Sequence, residues 1–136
     1  MAGYSGTPLP QKLGIKEQHK VAILGAPADF DDVLGTLPTG AIVERRLVGK
    51  APLDVIIVFV KKRSDLVDRI SESRPRMTPA AGLWIAWPKK SSGVATDITE
   101  NTIREVALPT GLVDNKVCAI DETWSGLRLV IRRELR

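Results

Sequence analysis

The sequence is poor in the side chains on which many hydrolases and metal proteins depend. Its 136 residues include one cysteine, Cys118, and one histidine, His19. A single cysteine excludes an internal disulfide framework and a cysteine-based zinc site, and it fits a reducing compartment. A single histidine, placed before the first predicted strand, excludes a histidine metal cluster and a Ser-His-Asp set at the strand ends. We therefore predict no catalytic residue, no metal ligand and no cofactor, and we favour a protein that is not an enzyme.

Long apolar runs are also missing. No stretch approaches the length of about 20 apolar residues that a membrane-spanning helix needs. Residues 1–14 contain no apolar core of the kind that a signal peptide has. These two absences predict a soluble protein of the cytoplasm.

Charge of one sign does not dominate either. The formal net charge is +4 and the pI is about 9.5, which invites nucleic acid or another anion as a partner. Acidic residues are interspersed with the basic ones, however, as on a mixed, solvated surface. We therefore expect at most weak binding of nucleic acid. The basic residues that would carry it are Lys61, Lys62, Arg63, Lys89, Lys90, Arg128, Arg132, Arg133 and Arg136.

What the sequence does contain is a series of short apolar segments followed by helical patterns. Residues 82–87 form a strand apolar enough to be buried on both faces, so the rest of the chain must cover it. Residues 20–24 and 54–60 predict two further buried strands. Helices are predicted at 29–37 with Asp29 as N-cap, after Ser64 as N-cap, and after Asp97 with Glu100 in the capping-box position.

The remaining segments complete a sheet. Residues 116–120 and 127–133 predict two strands joined by a hairpin loop, 121–126. Residues 41–48 carry charges in their middle, which is typical of an edge strand. The connection to 54–60 is too short for a helical crossover, so this strand either runs antiparallel to 54–60 or is displaced from it.

The predicted fold is α/β, a three-layer sandwich with a mostly parallel, Rossmann-like sheet and a C-terminal antiparallel hairpin. Residues 1–19 are predicted to form an N-terminal strap, and residues 20–136 a single α/β domain. Trp84 and Trp87 should lie in the core on opposite faces of their strand. Trp124, in the hairpin loop, either packs that loop against the sheet or offers a stacking surface to a ligand. We expect Cys118 to be buried and inert, and His19 to lie at the surface.

Ligands of open α/β sheets bind outside the carboxyl ends of the strands. Three loops follow predicted strands there, at 25–29, 61–64 and 88–93, and two of them are basic and precede helices, whose first amides favour anions. They lack the glycine spacing of a P-loop or of a dinucleotide fingerprint, so a phosphate or carboxylate is expected without further identity. The candidate ligand-binding residues are Gly25, Asp29, Lys61, Arg63, Ser64, Lys89, Lys90, Ser91, Ser92 and Trp124.

Three motifs make the chain similar to a known family: GLWI at 82–85 followed by Pro88-Lys89, GLV at 111–113, and WSGLRLV at 124–130. With them the chain resembles, from about Leu13 onward, the bacterial proteins grouped as domain of unknown function 3052. The resemblance implies a bacterial origin and a shared fold, and it carries no mechanism.

The chain is also loosely similar to the second half of class I methyltransferases. This similarity rests on DVII at 54–57, the helix after it and the strand at 82–85. Those enzymes use S-adenosylmethionine and also end in an antiparallel hairpin. Their glycine-rich cofactor loop after the first strand is replaced here by Gly25-Ala26-Pro27.

The function we favour from the sequence is a small, non-catalytic cytosolic α/β module. It would bind a partner protein or an anionic small molecule at the carboxyl edge of its sheet. Two alternatives stay open: a reduced methyltransferase-like protein, and a weak nucleic-acid binder. The sequence names neither a ligand nor an oligomeric state.

Overall fold

The computed structural model describes residues 6–136, so the first five residues of the predicted strap lie outside the described part of the chain. A six-stranded sheet, in the order β2-β1-β3-β4-β6-β5, forms the centre. The strands are β1 Lys20–Leu24, β2 Ile42–Glu44, β3 Leu53–Phe59, β4 Met77–Pro88, β5 Leu112–Ala119 and β6 Trp124–Ile131. Strands β1 to β4 are mutually parallel, and β6 runs antiparallel to both β4 and β5. The predicted fold class is confirmed.

The two central strands are the most apolar segments of the chain. Residues 55–60 and 81–88 are buried throughout. A parallel strand covered on both faces has no solvent-facing side, which is why these segments are continuous apolar runs without alternation. Trp84, which is fully buried, and Trp87 belong to the cores on opposite sides of β4, as predicted.

Strand β2 is shorter than predicted and lies beside β1 at the sheet edge. Strand β1 lies between β2 and β3 and is parallel to both. Of the two predicted alternatives, β2 is therefore the displaced strand, and it runs parallel to β3. The helix-free connection, residues 45–52, is held by a buried arginine. Arg76 donates from Nε to the Ala51 carbonyl at 2.6 Å, and its Nη2 lies 3.3 Å from Glu44 Oε1.

Four short helices cover the sheet: α1 Leu9–Lys12, α2 Phe30–Leu34, α3 Arg63–Ser73 and α4 Glu100–Ala107. Helices α3 and α4 cover one face, called here the helix face, and bury Leu66, Ile70 and Ile103 against it. Val67 of α3 is 39% exposed. Neighbouring residues point about 100° apart around a helix, so Val67 turns away from the sheet.

The starts of α2 and α3 differ from the prediction. Helix α3 begins at Arg63 with Lys62 in the N-cap position, so Ser64 is already inside the helix and caps nothing. Helix α2 is shorter than predicted because Gly35 ends it with a positive φ of 77°. Asp29 occupies its N-cap position, as predicted, but the side chain makes no capping hydrogen bond.

The capping box of α4 is built from two threonines. The Thr99 hydroxyl accepts from the Thr102 N–H, and the Thr102 hydroxyl accepts from the Thr99 N–H. The predicted box of Asp97 and Glu100 is therefore wrong, because the extended residue before the helix is Thr99.

The opposite face, called here the strap face, is covered by α1, α2 and the described part of the strap. Leu9, Leu13 and Ile15 are buried there. Helix α1 was not predicted, because the sequence pattern treats Pro10 as a breaker, whereas proline is tolerated in the first turn of a helix. The Trp84 Nε1–H donates to the Leu13 carbonyl at 2.9 Å, which ties the strap to the central strand.

The C-terminal hairpin has longer strands and a shorter loop than predicted. The loop is reduced to residues 120–123. Asp121 Oδ1 accepts from the Thr123 and Trp124 N–H groups, each at 2.8 Å, and closes this turn. Trp124 is consequently the first residue of β6, paired with Pro88, and not a loop residue.

Candidate functional site

A cleft of about 310 Å³ opens at the carboxyl edge of the sheet, between β1 and β3. The chain leaves these two strands in opposite directions: β1 leads to β2 on one side, and β3 leads to β4 on the other. Ligands of open α/β sheets bind at such a topological switch point. The lining residues are Gly25, Pro27, Phe59, Val60, Lys61, Lys62, Asp65 and Trp124.

The backbone at the end of β1 keeps the cleft open. Gly25 has a φ of +70°, a conformation that other residues rarely adopt. A Cβ atom there would also lie 3.1 Å from the Phe59 carbonyl oxygen of the neighbouring strand. Glycine at this position therefore permits both the turn and the close approach of the two strand ends.

Three aromatic rings pack together at the cleft, and two of them, Phe59 and Trp124, form its floor. The rings of Phe30 and Phe59 meet edge to face with centroids 4.8 Å apart, and Phe59 meets Trp124 in the same way at 5.0 Å. All three side chains are buried, so the rings are fixed by packing. Such edge-to-face pairs add about 0.5–1.5 kcal/mol each beyond the burial of their area.

The rim of the cleft is charged. Lys61 follows β3, and Lys62 and Asp65 belong to the start of α3; all three are exposed. Two ammonium groups against one carboxylate leave the rim with an excess positive charge. An apolar floor below a cationic rim suits a ligand with a flat apolar part and an anionic group.

The predicted site residues are only partly brought together. Gly25, Lys61 and Trp124 line the cleft. The others lie near the same edge without lining it: Asp29, Arg63, Ser64, Lys89, Lys90, Ser91 and Ser92. Two of the predicted groups, the Ser92 hydroxyl and the Arg63 N–H, are engaged within the protein.

The basic loop after β4 folds on itself. The Ser92 hydroxyl donates to the Lys89 carbonyl at 2.6 Å and accepts from the Val94 N–H at 3.1 Å. Gly93 ends this turn with a φ of +75°. The Ser92 hydroxyl, which the sequence predicted to bind an anion, therefore makes two hydrogen bonds within the loop.

The first amide of α3 is also occupied. The Arg63 N–H donates to Asp97 Oδ1 at 2.7 Å, and Thr96 Oγ1 donates to the Lys61 carbonyl at 2.7 Å. The segment before α4 thus caps α3 with a carboxylate of the chain itself. An external anion at this amide would have to displace Asp97.

Several cleft residues were not predicted: Pro27, Phe59, Val60, Lys62 and Asp65. The missing information was the strand order, which places the ends of β1 and β3 side by side. The sequence did place Phe59 near the carboxyl end of a buried strand, but without the strand order nothing marked that end as the switch point.

The isolated reactive side chains do not join a second site. Cys118 is half-buried; burial raises the pKa of its thiol, and the nearby charges of Lys12 and Lys116 oppose that rise. His19 is half-buried too, with Nδ1 accepting from the Lys16 N–H at 3.1 Å, and not fully at the surface as predicted. Within residues 6–136, no three metal-ligating side chains cluster, and no helix has the length and apolarity to span a membrane.

Apart from Arg128, which lies within β6, the basic residues proposed for nucleic acid are divided between two ends of the molecule. Lys61, Lys62, Arg63, Lys89 and Lys90 lie at the carboxyl edge of the sheet. Because β6 is antiparallel to β4, the arginines after its end lie at the opposite edge. Eight residues of strand separate the two ends by about 26 Å. This division gives less support to a nucleic-acid interface than one continuous surface would.

Several solved structures share this arrangement, among them proteins described as methyltransferases. A SAM dependent methyltransferase from Aquifex aeolicus aligns with a TM-score of 0.62 and 16% identity over 89% of this chain and 87% of that chain. Fibrillarin from Methanococcus jannaschii aligns with a TM-score of 0.58 and 16% identity, over 96% and 71%. Magnesium protoporphyrin IX methyltransferase from Synechocystis PCC 6803, with bound SAH, aligns with a TM-score of 0.55 and 12% identity, over 85% and 75%. The fold is thus that of the class I methyltransferases.

Residues 10–133 match the model of the family described as "Protein of unknown function (DUF3052)". The chain belongs to this family, as its motifs indicated. No curated protein matches the chain by sequence. At these identities the methyltransferase structures establish the fold and leave the activity open.

The residues of the cleft do not suit S-adenosylmethionine. The reactive sulfonium of this cofactor is positive, whereas the rim offers two lysines and one carboxylate. Pro27 follows β1 in the lining and has no N–H to donate. We therefore assign no methyl transfer to the cleft.

Proposed function

We propose that this protein is a non-catalytic module that binds an organic anion with a flat apolar part in the cleft between β1 and β3. One observation carries the proposal: a buried aromatic floor and two lysines converge at the switch point of the sheet. Phe59 and Trp124 would bury the flat part of the ligand, and Lys61 and Lys62 would bind its anionic group.

The size and charge of the cleft narrow the ligand class. A volume of about 310 Å³ lies at the lower end of the usual range for small-molecule sites, about 300–1,000 Å³, which suits a mononucleotide better than a dinucleotide. Asp65, on the first turn of α3, would accept hydrogen bonds from ligand hydroxyl groups and would repel a second anionic group beside it. A ribonucleoside monophosphate has this combination of groups.

Isothermal titration calorimetry with adenosine monophosphate tests the proposal, with adenosine and inorganic phosphate as its separate halves. The whole nucleotide should bind more tightly than either half. A hundredfold excess over its dissociation constant should raise the free energy of unfolding by about 2.7 kcal/mol. The Lys61→Gln, Lys62→Gln variant should bind at least about tenfold more weakly, a change of about 1.4 kcal/mol.

A second pair of lysines provides the comparison. The Lys89→Gln, Lys90→Gln variant removes the same charge at the same sheet edge, outside the cleft. If the Lys89→Gln, Lys90→Gln variant loses nucleotide binding and the Lys61→Gln, Lys62→Gln variant keeps it, the site is the loop at 88–93 that the sequence favoured. Phosphate stabilises proteins generally by exclusion from their surfaces, so chloride and sucrose are run beside it in melting experiments. A wild type that binds none of the three probes contradicts the proposal.

The fold similarity favours a second candidate, a reduced methyltransferase-like protein that still binds S-adenosyl compounds. S-adenosylhomocysteine has no sulfonium charge and is therefore the appropriate probe. Binding that is tighter than that of adenosine monophosphate, and that survives loss of Lys61 and Lys62, would favour this candidate. Binding of a partner protein and a cytoplasmic location stay predictions from the sequence.

A further inference from the structure

A second group of basic side chains lies on the strap face, away from the cleft. Arg128 is four residues along β6 from Trp124, about 13 Å at the usual rise of a strand. It pairs directly with Trp84 of β4, so its side chain lies on the same face as that indole. Its guanidinium lies over Gly82: a Cβ atom at that position would be 2.5 Å from Arg128 Nε. The missing side chain of Gly82 therefore makes the space in which Arg128 lies.

Two further cations adjoin Arg128. Lys116 of β5 is its direct cross-strand partner, and like charges in that position are destabilising. The Lys116 Nζ donates one hydrogen bond, to the Lys12 carbonyl at 3.3 Å. Burial lowers the pKa of Arg128, and the charge of Arg136 lowers it further. Arg136 is itself fixed, because its Nε donates to the Ile131 carbonyl at 2.7 Å.

Within residues 6–136, Arg128, Lys116 and Arg136 have no Asp or Glu side chain as an ion-pair partner. The hydrogen bond from Arg128 Nη1 to Asn115 Oδ1 is long, at 3.4 Å. A half-buried guanidinium among other cations is expected to be compensated, and a bound anion would do so.

We propose that Arg128, Arg136 and Lys116 form an anion site that takes a phosphate group. Guanidinium groups bind phosphate through paired N–H donors, and three positive charges suit the roughly −1.5 to −2 charge of a phosphate monoester at neutral pH better than a single carboxylate charge. The site is independent of the cleft, with which it shares no lining residue.

The test is a titration of the folded protein with inorganic phosphate, followed by the NMR signals of the arginine Nε–H groups. Chloride at equal ionic strength is the reference. The signals of Arg128 and Arg136 should shift to saturation with phosphate and not with chloride. Arg128→Gln should weaken phosphate binding about tenfold, measured on the Arg136 signal. Arg136→Gln should do the same, measured on the Arg128 signal.

Gly82→Ala provides the sharpest variant, because it keeps every charge and displaces only the guanidinium that lies over residue 82. It should weaken phosphate binding as Arg128→Gln does. If it does not fold, Arg128→Lys takes its place, since lysine keeps the charge without the paired donors.

Two controls remove charge elsewhere. Arg133→Gln changes an exposed arginine of the same C-terminal turn, and the Lys61→Gln, Lys62→Gln variant changes the cleft. Both should bind phosphate at these arginines as the wild type does. Two results would overturn the proposal: NMR shifts that grow without saturation, or a loss of phosphate binding in Arg133→Gln equal to that in Arg128→Gln. Either would mean that phosphate only screens the charge of a basic surface.

Discussion

The helix face and the strap face of the same sheet are covered in different ways. The helix face is covered by α3 and α4, which have 11 and 8 residues and bury an apolar stripe each. The strap face is covered by α1 and α2, of 4 and 5 residues, and by extended chain. A hydrogen bond from Trp84 to the Leu13 carbonyl, between residues 71 positions apart, joins this extended chain to the central strand.

This difference separates two sources of stability. A helix of two or three turns brings its own backbone hydrogen bonds and needs only one apolar stripe to bind the sheet. The described part of the strap has turn hydrogen bonds but no helix longer than about one turn, so its attachment to the sheet depends on the side chains that it buries. The strap face should therefore open locally at a lower free energy than the helix face does. The following predictions test that contrast.

The largest effect is expected at Trp84, whose side chain is fully buried on the strap face. Trp84→Ala should lower the free energy of unfolding by about 3–5 kcal/mol, because it removes a large buried aromatic group. Urea denaturation measures the change. Trp84→Phe keeps most of the apolar area but leaves the Leu13 carbonyl without its donor, at a cost of about 1–3 kcal/mol. A Trp84→Ala variant as stable as the wild type would show that the strap face does not contribute to the core.

A matched pair of leucines compares the two faces directly. Leu13 and Leu66 are both buried, the first under the strap and the second under α3. Each change to alanine should cost about 2–5 kcal/mol. Hydrogen exchange should distinguish them: Leu13→Ala should speed exchange mainly in residues 9–15, and Leu66→Ala throughout the sheet. Uniformly faster exchange in both variants would contradict separate opening of the strap.

A smaller effect is expected from the capping box of α4. Thr99→Ala removes the acceptor of the Thr102 N–H and should cost about 1 kcal/mol. Asp97→Asn, which weakens the bond to the Arg63 N–H at the start of α3, should cost a similar or smaller amount. Thermal melts of both variants measure these changes. A larger loss for Asp97 than for Thr99 would make the cross-helix cap the more important of the two.

The smallest effect concerns Cys118, which packs against the strap-face core. Since burial raises the pKa of its thiol, less thiolate is present in the folded than in the unfolded chain near pH 8. Alkylation should be slower in the folded protein than in the unfolded chain, because the thiolate is the reactive form. The raised pKa supports stability below the thiol pKa of the unfolded chain, and this support declines as the pH rises toward the folded pKa. Equal alkylation rates in water and in urea would contradict the burial of Cys118.

The helix face could be predicted from the sequence better than the strap face. The apolar runs at 20–24 and 54–60 and the stripe of α3 are local patterns, and the structure has them nearly where the sequence placed them. Cap positions were less predictable, because Ser64 and Asp97 are equally good caps by residue type. Their roles depend on tertiary contact: Asp97 lies before its own helix and caps the neighbouring one.

The candidate site, like the helix caps, could be predicted only where local sequence patterns define it. The sequence placed its candidate site at the carboxyl edge of the sheet, where the cleft lies, and three of its residues, Gly25, Lys61 and Trp124, line that cleft. Their role in binding stays a prediction. The sequence favoured the loop around Lys89 because that loop is basic, although the cleft lies where β1 and β3 are adjacent. Adjacency of strand ends depends on the strand order, which no local pattern in the chain encodes. The sequence left the strand at 41–48 either antiparallel to 54–60 or displaced from it, and only the strand order decides between the two.

The hydrogen bond from Trp84 to Leu13 has a consequence for synthesis on the ribosome. The strap is made first, yet the strand that receives it is complete only when residue 88 has been added. At about 5–20 residues per second, the strap waits about 4–15 seconds with Leu9, Leu13 and Ile15 exposed. During that interval its apolar side chains are available to chaperones. We expect slower translation of residues 20–88 to increase the capture of nascent chains, and Leu13→Ser to reduce it.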